Sequence, residues 1–478
     1  MGRSLLDAAQ ELASAPLVSE AAVQAFLCDV KLEEVEAVLG CSNTDERVLL
    51  TALDRAFAVP AGQAALRASR DLLLAASSAQ SVPLRRFCAS QLMRLRALPG
   101  LETVGERELA ALVADADTSV SSISVAALAV TTVSDLSCLC PAAQHKDATV
   151  RLRLYDLAAR LASKSPAAAA AVSAAGLLRG LLAELLSPDL LVALAGLETV
   201  ATLAESPAAA AGLGDSALGV VPRLADLART SVGDHLLRAR AVLVCGRVAG
   251  ALAASESPAL LPLLDALASA LTNDGAVQAA AVQAFGAIGA TSAGSELAFH
   301  APASVQELAR VALTRGLTSE LAQAAAHALA TLAGAERPAA LLSDGSEAVL
   351  LSAVHDALAA SRGASTLAEV VAATLRCKGP PFLEARVAAY RLTSALACRP
   401  WAASQLFTSA TFLDELLGAV EDGHRACTWR HAAVCSLARA AGRMEGFGGA
   451  AARLGQAAAS GPFGGNSAHG PQVAVALK

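Results

Sequence analysis

Hydrophobic positions along most of this chain recur with the period of a helix. In GLLRGLLAELL, Leu177, Leu178, Leu181, Leu182, Leu185 and Leu186 fall four residues apart in two registers. That spacing predicts an amphipathic helix with a broad apolar stripe, leaving Arg179 and Glu184 off it. Just upstream, Ser165-Pro166 opens a run of alanines. A serine oxygen caps a free N–H, proline suits the first helical position, and alanine then has the best helix propensity. Gly176 is placed to close this short helix, because glycine tolerates the left-handed C-terminal cap. Ser187-Pro188 reads as the next start. The unit is a short helix, a tight bend and a longer amphipathic helix.

This unit recurs. Leu203–Leu227 repeats the SPAAAA opening, and Pro166 and Pro207 lie 41 residues apart. Ser257-Pro258 repeats the capping pair, and LAGAERPAALL and LACRPWAASQL carry a proline variant of it. A helical period near 40 residues predicts an all-α armadillo/HEAT-like solenoid of stacked helical repeats, each burying its stripe on its neighbours. The repeats read most clearly over 148–441, within one expected solenoid covering 1–455. Residues 456–478, rich in Ala, Gly and Ser, read as a flexible tail. Asp135–Lys146 is too short for a full helix pair.

Composition narrows the function. The 478 residues are 55% hydrophobic and 3% aromatic, with a formal charge of −6. An acidic balance disfavours broad nucleic-acid binding, which needs a basic surface to displace counterions. The mean hydropathy of +0.50 raises the question of a membrane span. The charge-free run Gly275–Ser295 is long enough to cross, yet it is mostly Ala, Gly, Ser and Gln and reads as a buried solenoid helix. MGRSLL lacks both a secretory pattern and the Ser or Thr that myristoylation needs at position 6. The expectation is a cytoplasmic protein, with the nucleus as a second compartment, monomeric when free. The ten cysteines show no repeated CxxC spacing and predict no disulfide framework.

Candidate chemistry is sparse. Cys138, Cys140 and His145 lack a fourth metal ligand nearby. His424, Cys427 and His431 share a helix face and read as ordinary surface. Gly286 and Gly289 follow no strand and lack the Lys-Ser/Thr of a phosphate loop, so they read as close helix packing. No catalytic residue, cofactor or metal is expected. What remains is shape: the last helix of an armadillo-like unit lines a groove. Taking the leucine-rich helix as last nominates Arg179, Glu184, Arg223, Asp226, Arg229, His355, Asp356, Asp414 and Glu415 as partner-binding residues.

Four segments carry a family resemblance: VRLRLYDLAARLASKSP, GLLRGLLAELLSPDLLVALAGLETVATLAESP, AVQAFGAIGATSAGSELAF and ARVAAYRLTSALACRPWAASQLF. In words, order and spacing they resemble the proteasome 26S non-ATPase regulatory subunit 5 family. Arg151 with Tyr155, the Gly286/Gly289/Gly294 set, and Pro400-Trp401-Ala402 with Leu406 are the most telling. The resemblance implies a non-catalytic chaperone for the base of the proteasome regulatory particle. Such a chaperone holds the C-terminal domains of proteasomal ATPase subunits through its concave face and is absent from the mature proteasome. The family pattern has about one more repeat between Val120 and Val150, and Gln283 stands where it tends to have Asp. The alternative is a general armadillo-type adaptor or scaffold. An importin-like version would need regular Trp and Asn on the inner helices, and only Trp401 and Trp429 are present.

Overall fold

The computed structural model describes residues 4–29, 38, 44–130, 133–214, 218–230, 234–255, 260–273, 275–337, 341–361, 366–421, 423–444 and 447–463. Among them every regular element is a helix. The chain divides into two compact units, Met1–Gly212 and Leu213–Lys478.

The first unit contains α1 (Leu5–Ser14), α2 (Glu20–Asp29), α3 (Thr44–Phe57), α4 (Gln63–Ala68), α5 (Arg70–Ala76), α6 (Val82–Arg96) and α7 (Glu106–Leu112). It continues with α8 (Thr118–Val130), α9 (Cys140–Ala143), α10 (Ala148–Ala162), α11 (Pro166–Ala174), α12 (Leu181–Leu185), α13 (Leu190–Leu203) and α14 (Pro207–Ala211). The long helices α3, α6, α8, α10 and α13 stack in sequence into one row. The shorter α5, α7, α9 and α12 each pack against the long helix that follows them.

The second unit repeats the plan. It contains α15 (Val220–Arg229), α16 (His235–Leu252), α17 (Leu261–Leu271), α18 (Ala276–Ile288), α19 (Ser292–Phe299), α20 (Pro302–Leu313) and α21 (Glu320–Leu332). It ends with α22 (Asp344–Ala359), α23 (Leu367–Arg376), α24 (Leu383–Leu396), α25 (Pro400–Phe407), α26 (Ala410–Gly418), α27 (His424–Ala441) and α28 (Gly448–Ala459). Here α16, α18, α21, α24 and α27 form the long row. Helices α15, α17, α20 and α22 stack as a second row, and α23 pairs with α26. A stacked row of long helices flanked by a second layer, itself stacked in the second unit, forms the α-solenoid that the periodicity predicts.

Capping explains where the elements begin. Ser165 accepts from the Ala168 N–H at 3.1 Å and Gly176 adopts φ +67°, as the local sequence predicts. The leucine-rich segment is shorter than expected: residues 175–180 are turns, and α12 keeps only Leu181–Leu185. Ser187-Pro188 does not cap the next helix; Asp189 does, accepting from Leu191 N–H at 2.9 Å. Aspartate plays the same part at Asp147 before α10 and Asp234 before α16. A short polar side chain satisfies orphan N–H groups there, and the negative charge suits the positive helix end. The pairs at Ser257-Pro258 and Pro338 lie outside the described residues.

The charge-free run over 275–295 breaks into α18 and α19, with Thr291 capping the latter. No single helix among the described residues is long and apolar enough to cross a membrane. Asp135–Lys146 makes a 3-10 turn, Leu136–Leu139, and the single turn of α9, yet α10 still packs on α8. The shortened segment therefore trims the second layer without interrupting the long row. Toward the C-terminus α28 runs to Ala459 and packs on α27, so helix continues past the expected start of the tail at 456.

Between neighbouring long helices there is little room. A Cβ at Gly246 of α16 would lie 2.5 Å from the Ala284 Cβ and 2.6 Å from its Cα in α18. One at Gly289 would lie 2.9 Å from the Leu332 nitrogen. Glycine here is a packing requirement, and Gly289 fills the role expected of it.

Candidate functional site

A polar side chain near the start of many long helices ties successive repeats together. Arg85 donates to the Ala79 and Gln80 carbonyls behind it and to Asp115 ahead of it. Arg151 donates to the His145 and Lys146 carbonyls and, bidentate, to Glu184 at 2.5 and 3.1 Å. Arg386 donates to the Cys377 and Gly379 carbonyls and to Glu421 at 2.9 Å. The planar guanidinium fork makes this possible, since it can satisfy helix-end carbonyls and a carboxylate at once.

A tyrosine stands one turn on from two of these arginines and completes the tie at one of them. Tyr390 donates to Glu421 Oε1 at 2.7 Å. Tyr155 is fully buried, and burial followed by the charge of Glu184 pushes its hydroxyl up to about 12. Gly180 keeps the space open, since a Cβ there would lie 2.3 Å from the Tyr155 oxygen. The Arg151-Tyr155 pair picked out in the sequence thus shares its arginine-carboxylate tie with Arg386-Tyr390, while only Tyr390 adds a hydroxyl hydrogen bond to the carboxylate.

That device takes up Glu184, one of the nominated partner-binding residues. Its side chain is 3% exposed and is taken up by Arg151. The periodicity placed it off the apolar stripe, but an arginine of the preceding long helix covers it. The other nominated residues are exposed or half-buried, each within its own unit. In the first unit Arg179 is exposed on a turn. In the second, Asp226 and Arg229 are exposed on α15, 4.0 Å apart, and Arg229 also donates to the Pro262 carbonyl. Arg223 is half-buried beside them. His355 and Asp356 are exposed on α22. Asp414 pairs with Arg453 at 2.7 Å, and Glu415 lies 3.7 Å from Lys378. All of these lie in or next to the second layer. Counted from its Pro-initiated short helix, each unit ends on a long helix, so the groove argument points to the long row.

One side of that row in the second unit carries a connected, largely half-buried polar stripe. It runs through His327 and Thr331 on α21, Arg391 and Ser394 on α24, and Trp429, Ser436 and Arg439 on α27. The spacings of three, four and seven residues put each set on one helix face. Arg391 is its centre and is 9% exposed. Its Nη1 lies 2.9 Å from His327 Nδ1, and its Nη2 donates to Thr331 at 3.1 Å and to Glu336 at 2.8 Å. Its guanidinium carbon sits 5.0 Å from the Trp429 ring centroid, a cation–π contact. Burial, then the charges of Arg391 and Arg425, push His327 down to about 4. The imidazole is therefore neutral near pH 7, and its Nδ1 accepts from Arg391. Beyond this centre, the Ser394 and Ser436 hydroxyls are 3.2 Å apart, and Arg439 donates to Ser436 at 3.3 Å. They border a cavity of about 500 Å³.

The arrangement is suited to recognition. A guanidinium stacked on an indole beside a cavity is the kind of preorganised anchor that dominates protein interfaces. The sequence reading missed Arg391 and Trp429 as a paired feature; the signal available was the spacing of polar residues by three, four or seven positions on adjacent long helices. His424, Cys427 and His431 do not converge: His424 stacks on Phe463, Cys427 is buried against the Glu421 carbonyl, and His431 contacts Cys435 at 3.4 Å. Among the described residues no group of three His, Cys, Asp or Glu is arranged to hold a metal ion.

Comparison with known proteins adds one assignment and one fold likeness. The family model described as the proteasome non-ATPase 26S subunit matches residues 84–435. No curated protein matches the chain significantly. Among solved structures, one of Kap95p with RanGDP is 14% identical, with a TM-score of 0.54, covering 95% of this chain and 66% of that one. A Kap95:Nup1 complex is 15% identical, with a TM-score of 0.54, covering 91% and 63%. An engineered protein is 18% identical over 91% of this chain and 94% of that one, with a TM-score of 0.42. At these identities the Kap95 structures show a shared fold and nothing of function.

Proposed function

This chain belongs to the family of proteasome non-ATPase 26S subunits, a non-catalytic family, and on that premise we propose that it is an assembly chaperone. In this reading it binds the C-terminal domains of ATPase subunits of the regulatory-particle base through the long-helix face of its second unit. It leaves before the complete proteasome forms. It works in the cytoplasm, with the nucleus as a second compartment. The observation that supports the reading best is the Arg391–Trp429 centre, a preorganised anchor beside a cavity on the long-helix row. A helical row offers a long surface to a small folded domain. The ATPase chemistry belongs to the client.

The test is affinity purification of the tagged protein from its own cells, followed by binding measurements with purified ATPase C-terminal domains. Recovery of a few ATPase subunits without the assembled core particle is expected. Trp429→Ala should weaken client binding about 30-fold, the loss of roughly 2 kcal/mol usual for an aromatic anchor. Recovery of a different partner set would leave the fold standing and favour a general adaptor.

A further inference from the structure

The cavity beside the Arg391 centre has a one-sided charge. The charged residues that line it are Arg337, Arg439 and Arg443, with no carboxylate among them. This is unusual in a chain whose formal charge is −6. Two of these cations are held by neutral groups. Arg337 donates to the Gly289, Thr291 and Leu332 carbonyls and to the Ser295 hydroxyl. Its nearest influential carboxylate, Glu296, is occupied by Ser343 and Ser346. Arg439 donates to the Cys435 carbonyl and the Ser436 hydroxyl. Arg439 and Arg443 are exposed, and among the described residues neither forms an ion pair. Other exposed arginines of the second unit do, including Arg310, Arg425 and Arg453.

Apart from the Ser394 and Ser436 hydroxyls and two cysteines, the other lining side chains are apolar. Leu341, 64% exposed, stands at the cavity with Pro400, Ala403, Ala432 and Met444. A desolvating apolar surface under unneutralised guanidinium groups favours one ligand chemistry. Carboxylates gain charge-assisted hydrogen bonds there, and an adjoining apolar side chain gains burial.

We propose that this cavity binds an acidic peptide segment of the client, with a carboxylate on Arg439 and Arg443 and a neighbouring apolar side chain on Leu341, Ala403 and Met444. The proposal rests on the chaperone reading for the identity of the client, and on the cavity alone for the chemistry. The carboxylate can belong to an acidic side chain or to a chain terminus, which the probes below separate.

The experiment uses the full chain and fluorescence anisotropy with short labelled peptides that alternate leucine with glutamate. One ends in a free carboxylate, one is C-terminally amidated, and one has glutamine in place of glutamate. The glutamate peptide should bind at least about tenfold more tightly than the glutamine peptide, with a salt dependence. Equal affinity of the free and amidated forms assigns the carboxylate to side chains; loss on amidation assigns it to the terminus. Two variants check the location. Arg439→Glu/Arg443→Glu reverses exposed charges, and Ala432→Trp fills the cavity with the charges kept; circular dichroism confirms that both fold. Each should weaken the glutamate peptide by about tenfold or more. Absent binding, binding indifferent to glutamine replacement, or binding untouched by both variants would overturn the proposal. A client domain that binds these variants normally but loses affinity with Trp429→Ala would sink the cavity assignment and leave the chaperone reading intact.

Discussion

Replacing Arg386 by methionine should destabilise the second unit by about 3–5 kcal/mol, the usual cost of leaving one partner of a buried ion pair alone. The geometry explains the size. The Arg386 side chain is 8% exposed and that of Glu421 is 1% exposed. Arg386 makes three hydrogen bonds to the carboxylate and one each to the Cys377 and Gly379 carbonyls. After Arg386→Met, Glu421 keeps the Tyr390 hydroxyl but has no neutralising charge, and two helix-end carbonyls lose their donor. Removing both charges, as Arg386→Met/Glu421→Met, should recover at least about 2 kcal/mol relative to the sum of the single variants. Urea denaturation followed by circular dichroism measures the total. Stacked repeats need not unfold in one step, so hydrogen exchange of the α24 and α27 amides is needed to localise the loss. A single-variant cost under about 1 kcal/mol, or strict additivity of the two variants, would refute the claim that this pair acts as a closed unit.

Three other outcomes follow from particular contacts. His327 is held near 4 against an ordinary 6.5, so the unfolded chain takes up the proton first on acidification. Its contribution is complete above about pH 6.5 and is lost as pH falls toward 4. The loss is on the order of 1–3 kcal/mol, and thermal melts of wild type and His327→Gln across this range should differ in slope. Gly246→Ala should cost about 1–3 kcal/mol despite alanine's better helix propensity, because its Cβ meets Ala284 backbone atoms; a raised melting temperature would contradict the packing argument. Asp189→Ala should cost about 1 kcal/mol through the lost cap of α13, with Asp189→Asn restoring most of it in the same denaturation assay.

Several features were legible before any tertiary contact was known. The Ser165-Pro166 start and the Gly176 stop are local backbone chemistry, and both formed as expected. The close-packing role of Gly289 was also legible, since glycine in a helical pattern has few other uses. The leucine-rich helix was overextended because its periodicity ignored the turn over 175–180. The aspartate caps were overlooked because the Ser-Pro pairs made a louder pattern nearby.

The sequence by itself determined the helical content, the repeat period and the family, because each follows from local propensity or from the order of motifs along the chain. Which polar residues are buried and which face solvent was decided only by the tertiary structure. Glu184 and Arg391 both look like surface residues on a helical wheel. One is covered by Arg151 of the preceding long helix, and the other is drawn into a cluster with His327, Glu336 and Trp429. Both environments are assembled from neighbouring repeats some 30 to 65 residues distant. A helix's own periodicity reports which face is apolar, but it holds no information about the side chain that the next helix lays across its polar edge.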